Sequence, residues 1–192
     1  MWADFVTVFR VVLAFISIYM ISVRHDMFNI IGIGLIPVVM LLDILDGYFA
    51  RRNPIPSKYG SLYDILADRI ISFSYFVFFA SVQICPYISV LIIIVRGLIL
   101  DLIRSIAFSH NMQAFSENKF NQHILTKFFT QSHFSRGLYN TLKTLIFILM
   151  ATQYCFYNIS PSIIYWGIWL TVIWALLRSL PVLYMGYCLV KK

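Results

Sequence analysis

Long uninterrupted stretches of apolar residues dominate the chain, and short polar segments separate them. An α-helix rises about 1.5 Å per residue, so about 20 apolar residues cross the hydrocarbon core of a bilayer. Six stretches approach or exceed this length, and they run approximately over residues 4–23, 29–50, 59–83, 87–109, 137–157 and 161–190. The pattern predicts an all-α integral membrane protein with six transmembrane helices in one bundle, and a single domain over residues 1–192.

The amino-acid composition agrees with this interpretation. Hydrophobic residues make up 60% of the chain and charged residues 12%, whereas a soluble domain is about 45–50% apolar and about 25% charged. This excludes an ordinary soluble globule, a disordered chain and a coiled coil. Cys85, Cys155 and Cys188 lie far apart in apolar stretches, so we interpret them as packing residues. We expect no cleavable signal peptide, because the first apolar stretch begins at once and contains Arg10.

Basic residues are concentrated on one side of the predicted bundle. The formal net charge is +7. The residues that carry the positive charge on this side are Arg51, Arg52, Lys58, Lys119, Lys127, Arg136, Lys191 and Lys192. The opposite loops carry only Arg24, close to Asp26. The positive-inside rule therefore places both termini in the cytoplasm, and it explains the excess of positive charge without a nucleic-acid partner.

The 110–135 connection, between the fourth and fifth predicted spans, has its own pattern. Phe120, Ile124 and Phe128 recur at helical spacing, while Lys119 and Lys127 occupy other faces. This predicts an amphipathic helix. It lies either in the cytoplasmic membrane interface or against the cytoplasmic ends of the bundle.

Four of the seven aspartates lie within residues 43–68. Asp43 and Asp46 are three residues apart at the end of the second span, and Asp64 and Asp68 are four apart at the start of the third. Both spacings place a pair on one helix face, and antiparallel neighbours bring the two pairs to the same depth. Carboxylates inside a membrane mark functional sites. Four carboxylates in one place repel one another and therefore need cations. Mg²⁺ and Mn²⁺ are hard ions that prefer oxygen ligands.

The surrounding residues favour a nucleotide site over separate ion pairs. In the alternative interpretation, each aspartate pairs individually with Arg51, Arg52 or Arg69. Gly47 and Gly60, however, each remove a side chain where a flat ligand would lie against a helix. A guanidinium at Arg51 is suited to gripping phosphate oxygens. Metals, a flat slot and a phosphate-binding cation together fit a nucleoside diphosphate.

Residues 43–68, DILDGYFARRNPIPSKYGSLYDILAD, resemble the signature of the CDP-alcohol phosphotransferases, the class I CDP-alcohol phosphatidyltransferases. That signature reads D-x₂-D-G-x₂-A-R, a spacer, and G-x₃-D-x₃-D. All its fixed positions are present: Asp43, Asp46, Gly47, Ala50, Arg51, Gly60, Asp64 and Asp68. The resemblance implies a phospholipid-synthesising enzyme that transfers a phosphatidyl group from CDP-diacylglycerol to a small alcohol. It also implies a homodimer in the lipid bilayer, with the active site at the cytoplasmic face of the membrane (the inner membrane if the organism is bacterial).

The resemblance implies a role for each matched residue. Asp43, Asp46 and Asp64 would bind a pair of Mg²⁺ or Mn²⁺ ions. Asp68 would also contact a metal and would act as the general base that deprotonates the acceptor hydroxyl. The residues that would bind the nucleotide are Gly47, Ala50, Arg51, Gly60, Ser57 and Thr7.

Ser57 and Thr7 also have plain structural alternatives. Ser57 lies where the family often has a small hydroxylated residue, but a loop or helix-cap serine fits equally. The start of the chain, ADFVTVFR, resembles the family's first-span pattern through Asp4, Thr7 and Arg10, with Ala3 in place of proline. Thr7 would donate a hydrogen bond near the nucleotide or bond its own helix carbonyl. Arg10 is a charge inside a span and therefore needs a partner.

Three cations in the fourth and fifth predicted spans indicate an anionic acceptor. Arg96 and Arg104 are eight residues apart, so they share one helix face, and Lys143 lies in the next span. Because Asp101 precedes Arg104 by three residues, a structural ion pair is the alternative at that position. We expect Arg96, Arg104 and Lys143 to bind the acceptor phosphate.

Phosphatidylglycerophosphate synthases, a group within the family, have a similar fourth span, R-E-x₆-R, and a fifth span with G-K-x-K-T. Here Gly97 stands in place of the glutamate and Thr141 in place of the first lysine. The similarity implies glycerol 3-phosphate as the acceptor. The departures leave phosphatidylglycerol, as in a cardiolipin synthase, and inositol phosphate, as in a phosphatidylinositol phosphate synthase, as alternatives within the family.

Two interpretations lie outside the family. A divalent-metal channel or transporter would explain clustered carboxylates, but not the fixed spacing of Gly47, Arg51 and Gly60. It would also be expected to carry broken helices or an internal repeat. A purely structural membrane subunit would have little reason to carry four clustered aspartates.

Overall fold

The computed structural model of the chain describes residues 2–52, 60–109 and 133–190, and in these ranges every regular element is an α-helix. The helices are α1 (Trp2–Ser22), α2 (Asp26–Arg52), α3 (Gly60–Ser81), α4 (Tyr87–Ser109), α5 (His133–Phe156) and α6 (Pro161–Val190). Side chains are described for residues 7–42, 65–103, 105 and 137–183. The six predicted segments are thus confirmed as helices. Their ends differ from the expected ones by at most about one turn.

Helix α5 is central to the described bundle. It contacts α2, α3 and α6, while α1 packs along α2 and α3, and α4 packs along α6. Aromatic rings join α3 to α5. The ring centroid of Phe147 lies 4.8 Å from that of Phe76 and 5.0 Å from that of Tyr75. All three side chains are fully buried. Such ring pairs favour one relative placement of the two helices, and that placement fixes which polar residues meet one turn away.

A close approach joins α1 to α2. Ser17 Oγ donates a hydrogen bond of 2.8 Å to the carbonyl oxygen of Gly32. A Cβ atom built on Gly32 would lie 2.9 Å from Ile21 Cγ1 and 3.1 Å from the carbonyl oxygen of Ser17. Only glycine allows the two backbones to come this close, as is common where membrane helices pack.

The C-terminal ends of α1, α3 and α5 share one conformation. They are followed by Arg24, Gln83 and Tyr157, with φ values of 54°, 62° and 54°. A left-handed residue is a frequent terminator of α-helices. Arg24 also joins the end of α1 to that of α5, because its Nε donates to the hydroxyl of Tyr154 at 3.2 Å and its Cζ lies 4.6 Å from that ring's centroid.

The outer surface of the helices is rich in exposed apolar side chains, among them Phe15, Leu102 and Trp166. Among the described residues, the stretch Pro161–Leu183 is long and apolar enough to cross a membrane, and Thr7–Ser22 and Asp26–Leu42 are shorter apolar stretches. Membrane crossing by the other helices and the cytoplasmic location of both termini remain predictions. The amphipathic segment predicted in the 110–135 connection lies outside the described residues.

The cysteines lie in apolar surroundings where they are described. Cys85 is buried in the core and Cys155 packs against it, both as free thiols. Burial raises the pKa of the Cys85 thiol, which lies in the turn after α3. The side chain of Cys188 lies outside the described set.

Candidate active site

A lysine from α5 and an aspartate from α3 form a partly buried ion pair. Lys143 Nζ donates to Asp68 Oδ1 at 2.6 Å and to Ser72 Oγ at 3.0 Å. The Lys143 side chain is fully buried, whereas that of Asp68 is 30% exposed. A buried ammonium is costly unless it is paired and hydrogen-bonded. The two contacts therefore fix both the lysine and the carboxylate of the expected general base.

The helical repeat explains why these residues meet. Asp68, Ser72 and Phe76 follow one another at intervals of four on α3, so they share one face. On α5, Lys143 lies one turn before Phe147. Because the Phe76 and Phe147 rings are in contact, Lys143 is brought opposite Ser72 and Asp68. Short-range sequence patterns do not reveal this pairing, since its partners are 75 positions apart.

Two arginines lie near Asp68. Arg69 follows it directly on α3, and Arg10, which is almost fully buried on α1, interacts with it electrostatically. Arg69 Nε lies 3.3 Å from Asp101 Oδ2 and so joins α3 to α4. Arg69, considered above as a partner for the clustered aspartates, thus pairs with Asp101. The side chain of Arg104, the sequence-based candidate partner for Asp101, lies outside the described set.

Three cations from different helices surround the ring of Tyr139. The ring centroid lies 5.8 Å from Arg96 Cζ on α4, 5.7 Å from Lys143 Nζ on α5 and 5.3 Å from Arg178 Cζ on α6. These distances are within the range of cation–π attraction, about 6 Å. The structure therefore brings together Arg96 and Lys143, two of the three residues expected to bind the acceptor phosphate.

Arg178 is a member of this cluster that the sequence analysis missed. The signal was present, because an arginine in the middle of the last apolar stretch is a charge inside a predicted span and so marks a functional position. It belongs to none of the motif matches described above, which is why the motifs did not reveal it.

Most of the other predicted site residues are placed by their backbones only. The residues on the last turns of α2 are Asp43, Asp46, Gly47, Ala50 and Arg51. Gly60 and Asp64 lie at the start of α3, and Arg104 lies near the end of α4. Thr7 is half-buried on α1, which contacts both α2 and α3. Ser57 lies outside the described residues, and the convergence of the four carboxylates stays a prediction.

Asp68 is the motif aspartate whose side chain is described, and it suits a divalent cation. A partly exposed carboxylate offers the hard oxygen donor that Mg²⁺ and Mn²⁺ prefer. No three potential metal ligands come together among the side chains that are described. A metal site at this position therefore depends on Asp43, Asp46 and Asp64 joining Asp68.

The two positions that depart from the phosphatidylglycerophosphate synthase pattern have local explanations. A Cβ on Gly97 would lie 2.6 Å from Phe73 Cζ, so the Phe73 ring occupies the place where a glutamate side chain would begin. Thr141 is exposed, and its hydroxyl bonds the carbonyl oxygen of Gly137 on its own helix at 2.9 Å. Gly97 on α4 therefore packs against Phe73 on α3, whereas Thr141 faces outward.

An apolar groove of about 370 Å³ opens between α4 and α6 beside this cluster. Arg96 lines it together with apolar residues of both helices. These include Leu91, Val95, Ile99, Leu176 and Leu183. One of the three cations, Arg96, therefore lies at the edge of an apolar surface.

Comparison with known proteins adds two findings. The sequence profile of the family described as CDP-alcohol phosphatidyltransferase matches residues 1–176. A Mycoplasma genitalium protein named CDP-diacylglycerol–glycerol-3-phosphate 3-phosphatidyltransferase is 33% identical over 97 residues. The match covers 50% of this chain and 41% of that protein, so it spans about two fifths of the relative's length.

Proposed function

The chain belongs to the CDP-alcohol phosphatidyltransferase family, and from this membership we propose that it transfers a phosphatidyl group from CDP-diacylglycerol to glycerol 3-phosphate. The products are phosphatidylglycerophosphate and CMP. The family supports the type of reaction. The name of the Mycoplasma genitalium relative supports the acceptor.

The observation that carries the choice of acceptor is the group of cations around Tyr139. A phosphate dianion needs positive charge and hydrogen-bond donors to replace its hydration, whereas a neutral polyol does not. Arg96, Lys143 and Arg178 supply both, and each lies less than 6 Å from the centroid of the Tyr139 ring. Arg104, on the same helix as Arg96, is proposed as a further contact.

Asp68 is proposed as the general base. It takes the proton from the acceptor hydroxyl, and the oxygen attacks the phosphorus that is bonded to the diacylglycerol. The bond from that phosphorus to the bridging diphosphate oxygen breaks, and CMP leaves. Lys143 holds one carboxylate oxygen of Asp68 at 2.6 Å and so orients the other. Orientation of this kind is needed for proton transfer, because a base has to lie within hydrogen-bond reach of the proton.

The donor would be bound by the signature residues. Asp43, Asp46, Asp64 and Asp68 are proposed to bind two divalent ions, Mg²⁺ or Mn²⁺. When bound, the ions neutralise the diphosphate and stabilise CMP as a leaving group. The proposed nucleotide-binding residues are Gly47, Ala50, Arg51, Gly60, Ser57 and Thr7.

We place this activity at the cytoplasmic face of a six-span membrane protein, which we propose to be a homodimer. Exposed apolar side chains along the helices support a lipid environment. The concentration of lysine and arginine on the side of the signature supports the orientation.

A second candidate acceptor is phosphatidylglycerol, and the groove between α4 and α6 favours it. An acyl chain in this groove would lie beside Arg96, whose guanidinium would then face the lipid phosphate. The reaction would be that of a cardiolipin synthase.

A panel of acceptors tests the proposal. The purified chain in proteoliposomes receives CDP-diacylglycerol, Mg²⁺ and one labelled acceptor at a time: glycerol 3-phosphate, phosphatidylglycerol or inositol phosphate. We expect label in phosphatidylglycerophosphate, separated by lipid chromatography. Label in cardiolipin alone would support the second candidate. Metal flux across the liposome without any lipid product would contradict both.

A further inference from the structure

Arg96, Lys143 and Arg178 are three like charges in one small region, and they repel one another. They come from α4, α5 and α6, and α6 packs against both of the other helices. What the three share is the ring of Tyr139, which is only 6% exposed. Every one of the three charged groups lies less than 6 Å from its centroid.

An aromatic ring differs from a carboxylate as a neighbour for cations. The negative face of the ring attracts them, but the ring carries no net charge and does not cancel theirs. A ring therefore brings cations together without neutralising any of them itself. Lys143 is, in addition, paired with the carboxylate of Asp68.

We propose that Tyr139 is a positioning residue, whose ring holds Arg96, Lys143 and Arg178 in the arrangement that binds the acceptor phosphate. This rests on the proposed function and assigns a role within its acceptor site. Tyr139 lies one turn before Lys143 on α5, so it is fixed by the same helix that presents the lysine to Asp68.

A purely structural role for Tyr139 gives a different expectation. A core residue acts through its shape, whereas a cation–π platform acts through the electron density of its ring. Fluorine atoms on a phenylalanine ring withdraw that density and leave the shape nearly unchanged. A fluorination series at position 139 therefore separates the two roles without depending on a variant that fails to fold.

The experiment uses the full chain in detergent and inorganic phosphate as the probe, with the dissociation constant measured by calorimetric titration. Tyr139→Phe should bind phosphate within about threefold of the wild type, because the ring remains. Phenylalanine analogues with one, two and three ring fluorines, placed at the same position, should weaken binding step by step. The loss with three fluorines should reach about tenfold, which corresponds to about 1.4 kcal/mol. A dissociation constant that does not change with the number of fluorines, or no phosphate binding by the wild type, would overturn the proposal.

Tyr154 provides a matched control on the same helix. Its ring also contacts a cation, Arg24, but at the other end of the bundle. The same fluorination series at position 154 should leave phosphate binding unchanged. An equal loss at positions 139 and 154 would mean that the effect is general and would refute the assignment.

Steady-state kinetics separate this proposal from the proposed function. Fluorination at position 139 should raise the KM for glycerol 3-phosphate in parallel with the phosphate dissociation constant, and leave the KM for CDP-diacylglycerol unchanged. Ring-dependent phosphate binding without turnover of glycerol 3-phosphate would contradict the proposed function and support the role of Tyr139. Turnover of glycerol 3-phosphate without any effect of fluorination at position 139 would support the proposed function and contradict the role of Tyr139.

Discussion

Replacing Lys143 by methionine removes the ammonium that pairs with Asp68 and keeps a long unbranched side chain. Two hydrogen bonds are lost, one of 2.6 Å to Asp68 and one of 3.0 Å to Ser72. The partly exposed carboxylate of Asp68 remains without this partner. We expect the variant to lose folding stability as well as acceptor binding, because the pair joins α3 to α5.

The size of the stability loss follows from the burial of the pair. Removing one member of a buried ion pair costs about 3–5 kcal/mol. The Asp68 side chain is 30% exposed, so water solvates part of the stranded carboxylate. We therefore expect a loss near the lower limit, about 3 kcal/mol in the free energy of unfolding.

A double-mutant cycle with Asp68→Asn isolates the interaction. The free energy of unfolding is measured by reversible denaturation in mixed micelles for the wild type, both single variants and the double variant. A hydrogen bond to a charged group contributes about 1.5–3 kcal/mol, and we expect a coupling energy in that range. A coupling energy below about 0.5 kcal/mol would mean that the two side chains act independently.

Two serine variants provide controls for this cycle. Ser72→Ala removes only the second hydrogen bond of Lys143 and should cost about 1 kcal/mol. Ser179 is also buried, but its hydroxyl bonds the carbonyl oxygen of Leu176 on its own helix. Ser179→Ala should therefore show no coupling to Asp68→Asn. Equal coupling for both serines would refute a specific network around Lys143.

The remaining predictions concern catalysis. Arg178→Ala should raise the KM for glycerol 3-phosphate about tenfold or more and leave that for CDP-diacylglycerol within about threefold, since one charge-assisted contact is lost. Arg51→Ala should instead raise the KM for CDP-diacylglycerol and leave that for glycerol 3-phosphate nearly unchanged. If each variant raised both KM values equally, the assignment of Arg178 to the acceptor and Arg51 to the donor would be contradicted. Asp68→Asn should lower kcat about 10²–10⁴-fold with donor binding retained; near-wild-type turnover would place the base elsewhere. Excess EDTA should abolish activity and added Mg²⁺ or Mn²⁺ should restore it, whereas full activity in EDTA would exclude the metal site.

The helices were predictable from the sequence because their main determinant is local. A long apolar stretch bounded by turn residues specifies a membrane-length helix without reference to the rest of the chain. Residues at spacings of three and four, such as Asp64 and Asp68, share a helix face for the same reason. The identity of the signature residues was likewise readable, because their spacing along the chain is fixed.

The contacts between helices were not predictable in this way. Spacing offered an ion pair between Asp101 and Arg104 on one helix as an alternative, and the described side chains do not test it. The contact of Asp101 with Arg69, which joins α4 to α3, left no signal in the local spacing. The partner of Lys143 depends on which faces of α3 and α5 meet, and aromatic packing at Phe147 decides this. Such choices are made by tertiary packing, which no local pattern contains.

The fate of the transferred phosphorus tests phosphatidyl transfer most directly. CDP-diacylglycerol labelled only at the phosphorus next to the diacylglycerol is incubated with the purified chain and unlabelled glycerol 3-phosphate, and lipid and nucleotide fractions are counted. We predict that all transferred label enters phosphatidylglycerophosphate, with one unlabelled CMP released for each lipid formed. Label in the released nucleotide, or lipid product without an equal amount of CMP, would contradict phosphatidyl transfer.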